Sequence, residues 1–278
     1  MDFGPSNISH VVRFFGIVES MLEKHQKICL ISTGKQRIPN AVFLLSCYMT
    51  FVLKMDADEV LAELDSITSH LEPFRDASNL PTSYPLYVKD CLMGLKKGIS
   101  LKLFSFSSFN LKDYENHERV EQGDFNWVVP SKILALAGPC ESNYQKFSSL
   151  AIAKGEPTFG FPQLIRYFKD NNIKAIIRLN NHLYKKEIFE SEGIQHVDLF
   201  FPDGSNPPLW IVNAFIEICE SLNGAVAVHC KAGLGRTGTL IAAYLMKKYK
   251  FTSREAMGFI RIMRPGSIVG PQQEFIEQ

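Results

Sequence analysis

Val228-His229-Cys230-Lys231-Ala232-Gly233-Leu234-Gly235-Arg236-Thr237-Gly238 joins two different sequence periodicities. Before it, Ala225 to Val228 are apolar, half of them β-branched, and follow the turn dipeptide Asn223-Gly224, which reads as a strand; after it, Thr239 to Lys248 has helical spacing. A glycine-rich turn between strand and helix points successive backbone N–H groups inward, and the helix N-terminus adds partial positive charge. The segment is therefore read as a cradle for an anion the size of phosphate.

Cys230 opens this loop and Arg236 closes it six positions later, which sets it apart from a nucleotide-binding loop. Among N–H dipoles, a helix N-terminus and a guanidinium, the Cys230 thiol is expected to ionise with a pKa of roughly 3.5 to 7.5, below the usual value of about 8.5, and to act as a nucleophile. Arg236 offers a planar fork that holds two phosphate oxygens together, which lysine cannot do. Gly233 and Gly235 let the backbone approach the anion. Thr237 is expected to hydrogen-bond the thiolate or its phosphorylated form, and His229 to brace the loop from behind. Lys231 and Leu234 are placed toward the rim, so that Lys231, Ala232, Gly233, Leu234, Gly235 and Arg236 together surround the phosphate. Of the six cysteines, Cys230 alone has arginine six residues on. A structural cysteine in a glycine turn requires none of Arg, Thr and three glycines at this spacing, and the loop resembles that of the cysteine-dependent phosphatases.

With 278 residues the chain exceeds the usual single-domain size. Net charge is +1 and charged residues make up 21%, without the basic excess that nucleic-acid binding requires. Phosphate affinity must then be local, and no nucleic acid partner is expected. The cysteines lack repeated spacing and no secretory apolar stretch follows Met1, so a reducing intracellular compartment without disulfides is expected. The longest apolar run, Ala41 to Leu53, is too short to span a bilayer and reads as a buried helix, with no membrane partner.

In chain order, Asp2 to Asn7 reads as a turn, Val11 to Glu23 as an amphipathic helix, Ile28 to Ile31 as a short buried strand, and Ala41 onward as a helix. Sliding the chain by 196 positions sets Tyr48 on Tyr244, Leu44 on Leu240 and Glu59 on Glu255, and lays Ile28–Ile31 opposite Gly224–Ala227. Capping boxes Asp56-x-x-Glu59 and Thr252-x-x-Glu255 match as well. Cys230 falls on Gly34 and Arg236 on Asn40, so a repeat would make the first half a related unit stripped of its nucleophile and clamp. Leu71 to Pro85 is an irregular connection and Tyr87 to Ser100 a helix. The acidic stretch with Asp113, Glu115, Glu118 and Glu121 reads as a helical linker.

From Asp124 onward, strands at Ile133–Ala137, Ala175–Leu179 and Val197–Phe200 alternate with helices at Phe161–Asn172 and Tyr184–Ser191. This alternation means α/β with a central, mostly parallel sheet flanked by helices, and places Cys230 at the carboxyl end of a strand, where such sheets bind ligands. The Gly- and Pro-rich loop Phe201 to Pro208 carries Asp203, the candidate general acid. A carboxylic acid within about 3 Å of the ester oxygen can protonate it as it leaves. Asp198 and Asp170 are rivals, set in a strand and at a helix end. Past Arg264-Pro265-Gly266, Gln272 and Gln273 each offer an amide to orient the water that hydrolyses a phosphocysteine, and the sequence does not choose between them.

Pro73 to Ser78, Asp124 to Pro130, Leu199 to Ser205, the loop 228–238 and Arg264 to Gln273 together closely resemble the cell-division-cycle-fourteen phosphatases, the mitotic-exit branch of the dual-specificity protein phosphatases. The resemblance implies two tandem phosphatase-like domains, each with a central mostly parallel sheet flanked by helices: a degenerate one at 1–108, a linker helix at 109–123 and a catalytic one at 124–278. It matches the family's nucleophile to Cys230, its clamp to Arg236 and its acid to Asp203. It implies phosphoserine or phosphothreonine followed by proline as substrate, the sites of cyclin-dependent kinases, with a nearby basic residue read by an acidic groove for which Asp113, Glu115, Glu118 and Glu121 are candidates. It further implies an address in nucleus and cytoplasm, with nucleolus, centrosome or spindle as narrower options. The chain opens where family members carry further N-terminal strands and ends soon after Gln273, so a shortened first domain and a missing regulatory tail are expected.

Other classes compete. Tumour-suppressor lipid phosphatases share the His-Cys-Lys-Ala-Gly-x-Gly-Arg-Thr-Gly loop but carry a second lysine where this chain has Leu234. A phosphoprotein-binding module without turnover follows if the lid misplaces Asp203, and an RNA triphosphatase would want a more basic groove. No metal or other cofactor is expected, because Arg236 and the N–H cradle supply the positive field.

Overall fold

The computed structural model describes residues 4–25, 27–35, 37–78, 84–153, 155 and 158–278. Met1, Asp2 and Phe3, the start of the expected N-terminal turn, lie outside them, as does 79–83 of the irregular connection. Helices α1 (Ile8–Leu22), α2 (Ile38–Phe51), α3 (Ala57–Glu63), α4 (Asp65–Thr68), α5 (Val88–Ser100) and α6 (Leu111–His117) come first. A single 3-10 turn at Val120–Gln122 leads to β1 (Phe125–Val129) and β2 (Ile133–Leu136). Then follow α7 (Glu141–Ala153), α8 (Phe161–Asp170), β3 (Ile173–Arg178), α9 (Glu187–Glu190), β4 (Gln195–Asp198), α10 (Leu209–Ser221), β5 (Ala225–His229), α11 (Gly235–Tyr249), α12 (Ser253–Met263) and α13 (Gln272–Phe275). None of the described helices is long and apolar enough to cross a membrane.

The sheet has the order β1-β2-β5-β3-β4, parallel except for β1 at one edge, which turns back antiparallel to β2. Strand alternation gives it two apolar faces. Val226, Val228, Ile133, Ala135, Ala175 and Ile177 point into one core, and Leu134, Leu136, Ile176, Ala225 and Ala227 into a second core beneath α8 and α9. Covering both faces is what permits a parallel sheet. It also puts β5 in the middle, flanked by β2 and β3, with its carboxyl end at the top of the layer.

One expectation is corrected. Among the described residues all five strands lie between Phe125 and His229, and Ile28–Ile31 forms no strand; Ile31 is 79% exposed. A short apolar run becomes a strand only where a neighbouring edge takes its hydrogen bonds, and the described part of the first half offers only an isolated bridge between Phe74 and Leu86. The helical part of the internal repeat does hold: shifted by 196 positions, α2 falls on α11 and α3 on the start of α12. Thr252 and Glu255 close the expected capping box, whereas the Asp56 side chain accepts from the amide of Asp58 instead.

The two halves share one hydrophobic core, joined where α5 crosses α12. Glycines make the crossing close: a methyl group on Gly94 would sit 2.3 Å from the Glu255 carbonyl oxygen, and one on Gly258 2.8 Å from Cys91 Cα. Lys97 adds an ion pair with Glu255 at 2.7 Å, and Tyr114 of α6 donates to the Met263 carbonyl at 3.0 Å. The sheet-bearing half is thus seated on a helical support.

Candidate active site

β5 ends at His229, Cys230 follows, and α11 begins at Gly235, so the strand–loop–helix read from the sequence is present. Successive loop carbonyls are tied away from the centre. Lys231 O accepts from the Gly138 amide at 2.9 Å, and Ala232 O and Gly233 O accept from the Arg264 guanidinium, each at 3.0 Å. Leu234 O accepts from the Gly238 and Ile268 amides at 2.9 and 3.3 Å. Because peptide planes are rigid, a carbonyl held outward turns the following N–H inward. Gly233 has φ +68, and a Cβ there would lie 2.0 Å from the Leu136 carbonyl oxygen, so glycine alone fits.

Arg264 went unrecognised in the sequence, where Arg264-Pro265 reads only as a helix break. It is buried and also binds Asn126 Oδ1 at 2.7 Å and Asp124 Oδ1 at 2.9 Å, anchoring the cradle to the start of β1. Its conjunction with the Asp124-Phe-Asn126 block was the available signal.

The Arg236 guanidinium is 97% buried at its side chain, and Nη1 donates to the carbonyls of Leu179 (3.3 Å) and Phe201 (2.9 Å). These bonds, at the carboxyl end of β3 and beyond β4, fix the plane of the fork. Nη2 lies 3.1 Å from Asp203 Oδ1, and Nε is buried with no hydrogen-bond partner. Nε and Nη2 form one edge of the guanidinium, which presents two donors in a plane to an oxyanion. Asp203 itself is exposed, on a loop where Ser205 bonds back to Pro202. The rivals are occupied elsewhere: Asp198 takes the Arg178 guanidinium at 2.6 and 3.0 Å, and Asp170 sits at the far end of the sheet beside Arg166.

His229 braces the loop as expected. Its Nδ1 faces the Cys230 carbonyl at 3.0 Å, which only an N–H can satisfy, so Nε2 is the acceptor and Tyr184 OH donates to it at 2.7 Å. Tyr184 OH then accepts from Nε2 of His196 at 3.1 Å. Burial pushes the His229 pKa down to about 3, reinforced by the nearby Arg178 charge, so the ring is neutral.

Of the two glutamines, the geometry singles out Gln272. Its Nε2 donates to the Ser205 carbonyl at 3.2 Å, while Oε1 is buried, unpartnered and set over Gly235, where a Cβ would lie 2.7 Å from it. Gln273 is turned away, bound to Arg261 at 2.8 Å and to Asp76 at 3.3 Å. The expected Thr237 bond to Cys230 is not formed; Thr237 Oγ1 is buried without a partner. Cys230 is buried, Lys231 and Ala232 are exposed, and Leu234 is half-buried.

Each of the four acidic candidates lies near a partner within the chain. Glu115 is paired with Arg13 at 2.5 Å, Glu118 accepts from Asn7 at 2.8 Å, and Glu121 lies 4.0 Å from Arg119. Asp113 lies near His117 and lines a cavity of about 530 Å³ with Trp127, Tyr167 and Phe109. Charges on a linker packed between two halves find such partners close by.

Comparison with known proteins follows the same division. Residues 1–98 match the family model described as the N-terminal half of dual specificity protein phosphatase, and 163–278 match the dual specificity phosphatase catalytic domain. The chain is 44% identical to the human (Homo sapiens) dual specificity protein phosphatase CDC14A over 283 residues, covering 100% of this chain and 46% of that protein. It is 41% identical to CDC14B of Mus musculus, over 99% of this chain and 56% of the relative. It is 40% identical to the tyrosine-protein phosphatase CDC14 homolog of Schizosaccharomyces pombe, over 99% and 52%. The chain spans about half the length of the curated relatives it matches. Carrying both phosphatase halves and this likeness along its whole length, the chain belongs to the CDC14 family of dual specificity protein phosphatases.

Proposed function

We propose that this protein hydrolyses phosphate monoesters of protein serine, threonine and tyrosine through a phosphocysteine. The observation that carries the reading is the Arg236 edge: a buried Nε without a partner beside an Nη2 only 3.1 Å from Asp203, over a loop whose carbonyls all point away. An oxyanion on that edge would meet two coplanar donors beside the Asp203 carboxylate.

In the first step Cys230 attacks phosphorus in line, Arg236 and the loop amides hold the equatorial oxygens, and Asp203 protonates the departing oxygen. In the second, water displaces the sulfur, Asp203 takes its proton and Gln272 orients it. His229, neutral and hydrogen-bonded on both nitrogens, supports the loop without exchanging protons. The finer reading is a preference for phosphoserine or phosphothreonine followed by proline, in opposition to cyclin-dependent kinases during cell division, in nucleus and cytoplasm. The names of the relatives support the cell-cycle setting.

Phosphate release from matched phosphoserine-proline, phosphoserine-alanine and phosphotyrosine peptides, set against a soluble inositol phosphate, tests this. Fastest release from the proline peptide, abolished by Cys230→Ser, is expected. Faster release from the inositol phosphate would replace the reading with a lipid phosphatase.

A further inference from the structure

We propose that Asp76, in the first half of the chain, is a positioning residue for hydrolysis of the phosphocysteine, acting by clamping the segment that carries Gln272. The proposal rests on the two-step reading above. It adds a role for the half of the chain that lacks a nucleophile.

Asp76 is 4% exposed although it belongs to an irregular connection. Its Oδ2 accepts from the Gly270 amide at 2.7 Å and from Gln273 Nε2 at 3.3 Å, and its Oδ1 from Ser78 Oγ at 2.9 Å. Gln273 Nε2 also donates to the Gly270 carbonyl at 3.2 Å, and Gln273 Oε1 accepts from Arg261 at 2.8 Å. Arg261 in turn holds the carbonyls of Ser267 at 3.0 Å and Ile268 at 2.8 Å. The turn between α12 and α13 is thus gripped at 267, 268, 270 and 273, with a carboxylate from almost two hundred residues upstream at the centre. Such a grip on a buried turn is costly to leave unmade, because each released donor or acceptor stays out of water.

Gln272 is the residue this grip leaves pointing the other way. It bridges the Asp203 loop through Ser205, and its buried, unpartnered Oε1 is an acceptor without a donor. A water attacking the phosphocysteine would supply that donor. In this step the water oxygen bonds to phosphorus and the P–S bond breaks. Its electron pair returns to Cys230 as thiolate, the water proton passes to the Asp203 carboxylate, and inorganic phosphate leaves. The first step needs no such acceptor, since its nucleophile is the Cys230 sulfur and no water has to be oriented. Loosening the clamp should therefore slow the second step and spare the first.

The test is pre-steady-state release of the aryl alcohol from an aryl phosphate with a very good leaving group, using the full chain. With Asp76→Asn, a burst approaching one equivalent per enzyme at the wild-type rate is expected, followed by a steady rate lowered about 10- to 100-fold. Gln273→Met weakens the same clamp from its other side and should show the same split, and it decides alone if Asp76→Asn does not accumulate folded. A fall of burst and steady rates together, or an unchanged steady rate in protein with a normal thermal midpoint, overturns the proposal. If Gln272→Ala shows the split and neither clamp variant does, the clamp is wrong and the phosphocysteine reading stands. If Cys230→Ser still releases the alcohol, that reading fails first.

Discussion

Arg236 Nη2 lies 3.1 Å from Asp203 Oδ1, so the guanidinium that would hold phosphate is held at one corner by the carboxylate that would protonate the leaving group. The pairing keeps the acid loop over the cradle. The Asp203 side chain is 71% exposed and returns to water when the pair opens, while the Arg236 side chain, 3% exposed, stays out of it.

Asp203→Ala should therefore separate two properties. Turnover of phosphopeptides, whose leaving oxygen needs a proton, is expected to fall by about 10²- to 10⁴-fold, while an aryl phosphate with a very good leaving group loses far less. Affinity for inorganic phosphate should stay the same or rise as the corner of Arg236 is freed. Steady-state kinetics with phosphate as competitive inhibitor checks both. Equal loss on the two substrates would remove Asp203 from the role of acid.

Arg264→Lys should damage the cradle from behind. Lysine has one nitrogen where Arg264 uses three to reach Gly233 O, Ala232 O, Asn126 and Asp124, so at least one loop carbonyl would be freed to rotate. Each buried group left without a partner costs about 1 to 3 kcal/mol. The phosphate inhibition constant is expected to rise by about tenfold or more, with a lower thermal midpoint. An unchanged constant would mean that the loop holds its shape without Arg264.

What the sequence disclosed and what it hid divide along a physical line. Cys230, Arg236 and Asp203 were legible as candidates because the chemistry proposed for them is written within single loops, in residue types and spacing. The strand and helix on either side followed from periodicity alone. Arg264, Asp124, Asn126 and Asp76 were not legible as candidate site residues, since each is held through partners distant in sequence, up to 197 residues apart for Asp76 and Gln273. Gln272 could not be told from Gln273 for a related reason: adjacent residues in a helix differ in direction, and only the tertiary setting says which direction faces the loop. Ile28–Ile31 misled because an apolar tetrapeptide carries no information about whether a partner edge exists.

His229 should make stability fall in acid. Its folded pKa is near 3 and an unfolded histidine titrates near 6.5, so between these values the unfolded chain binds a proton that the native state refuses. The native advantage of this group is complete above pH ~6.5 and is lost as pH drops toward 3, at up to about 1.4 kcal/mol per pH unit. Denaturant unfolding at pH 7 and pH 5 should show the loss, and His229→Asn, which retains one donor and one acceptor, should lessen it. A pH dependence identical in the variant would show that other groups carry it.

Gly94→Ala should weaken the union of the two halves. The added methyl meets the Glu255 carbonyl oxygen at 2.3 Å and the Phe259 amide nitrogen at 3.0 Å, backbone atoms that cannot swing aside. The helices must part, at a cost of about 1 to 3 kcal/mol. Because α12 leads directly into Arg264, lower activity should accompany the lower unfolding midpoint. Stability equal to the parent chain would mean that the crossing is looser than these distances indicate.

The covalent intermediate is the most direct test. Reaction with a phosphate-labelled aryl ester, quenched within one turnover and mapped by peptide mass spectrometry, should place phosphate on the sulfur of Cys230, with none on Cys230→Ser. Phosphate found on another side chain, or full turnover by the serine variant with no labelled cysteine, would contradict the account.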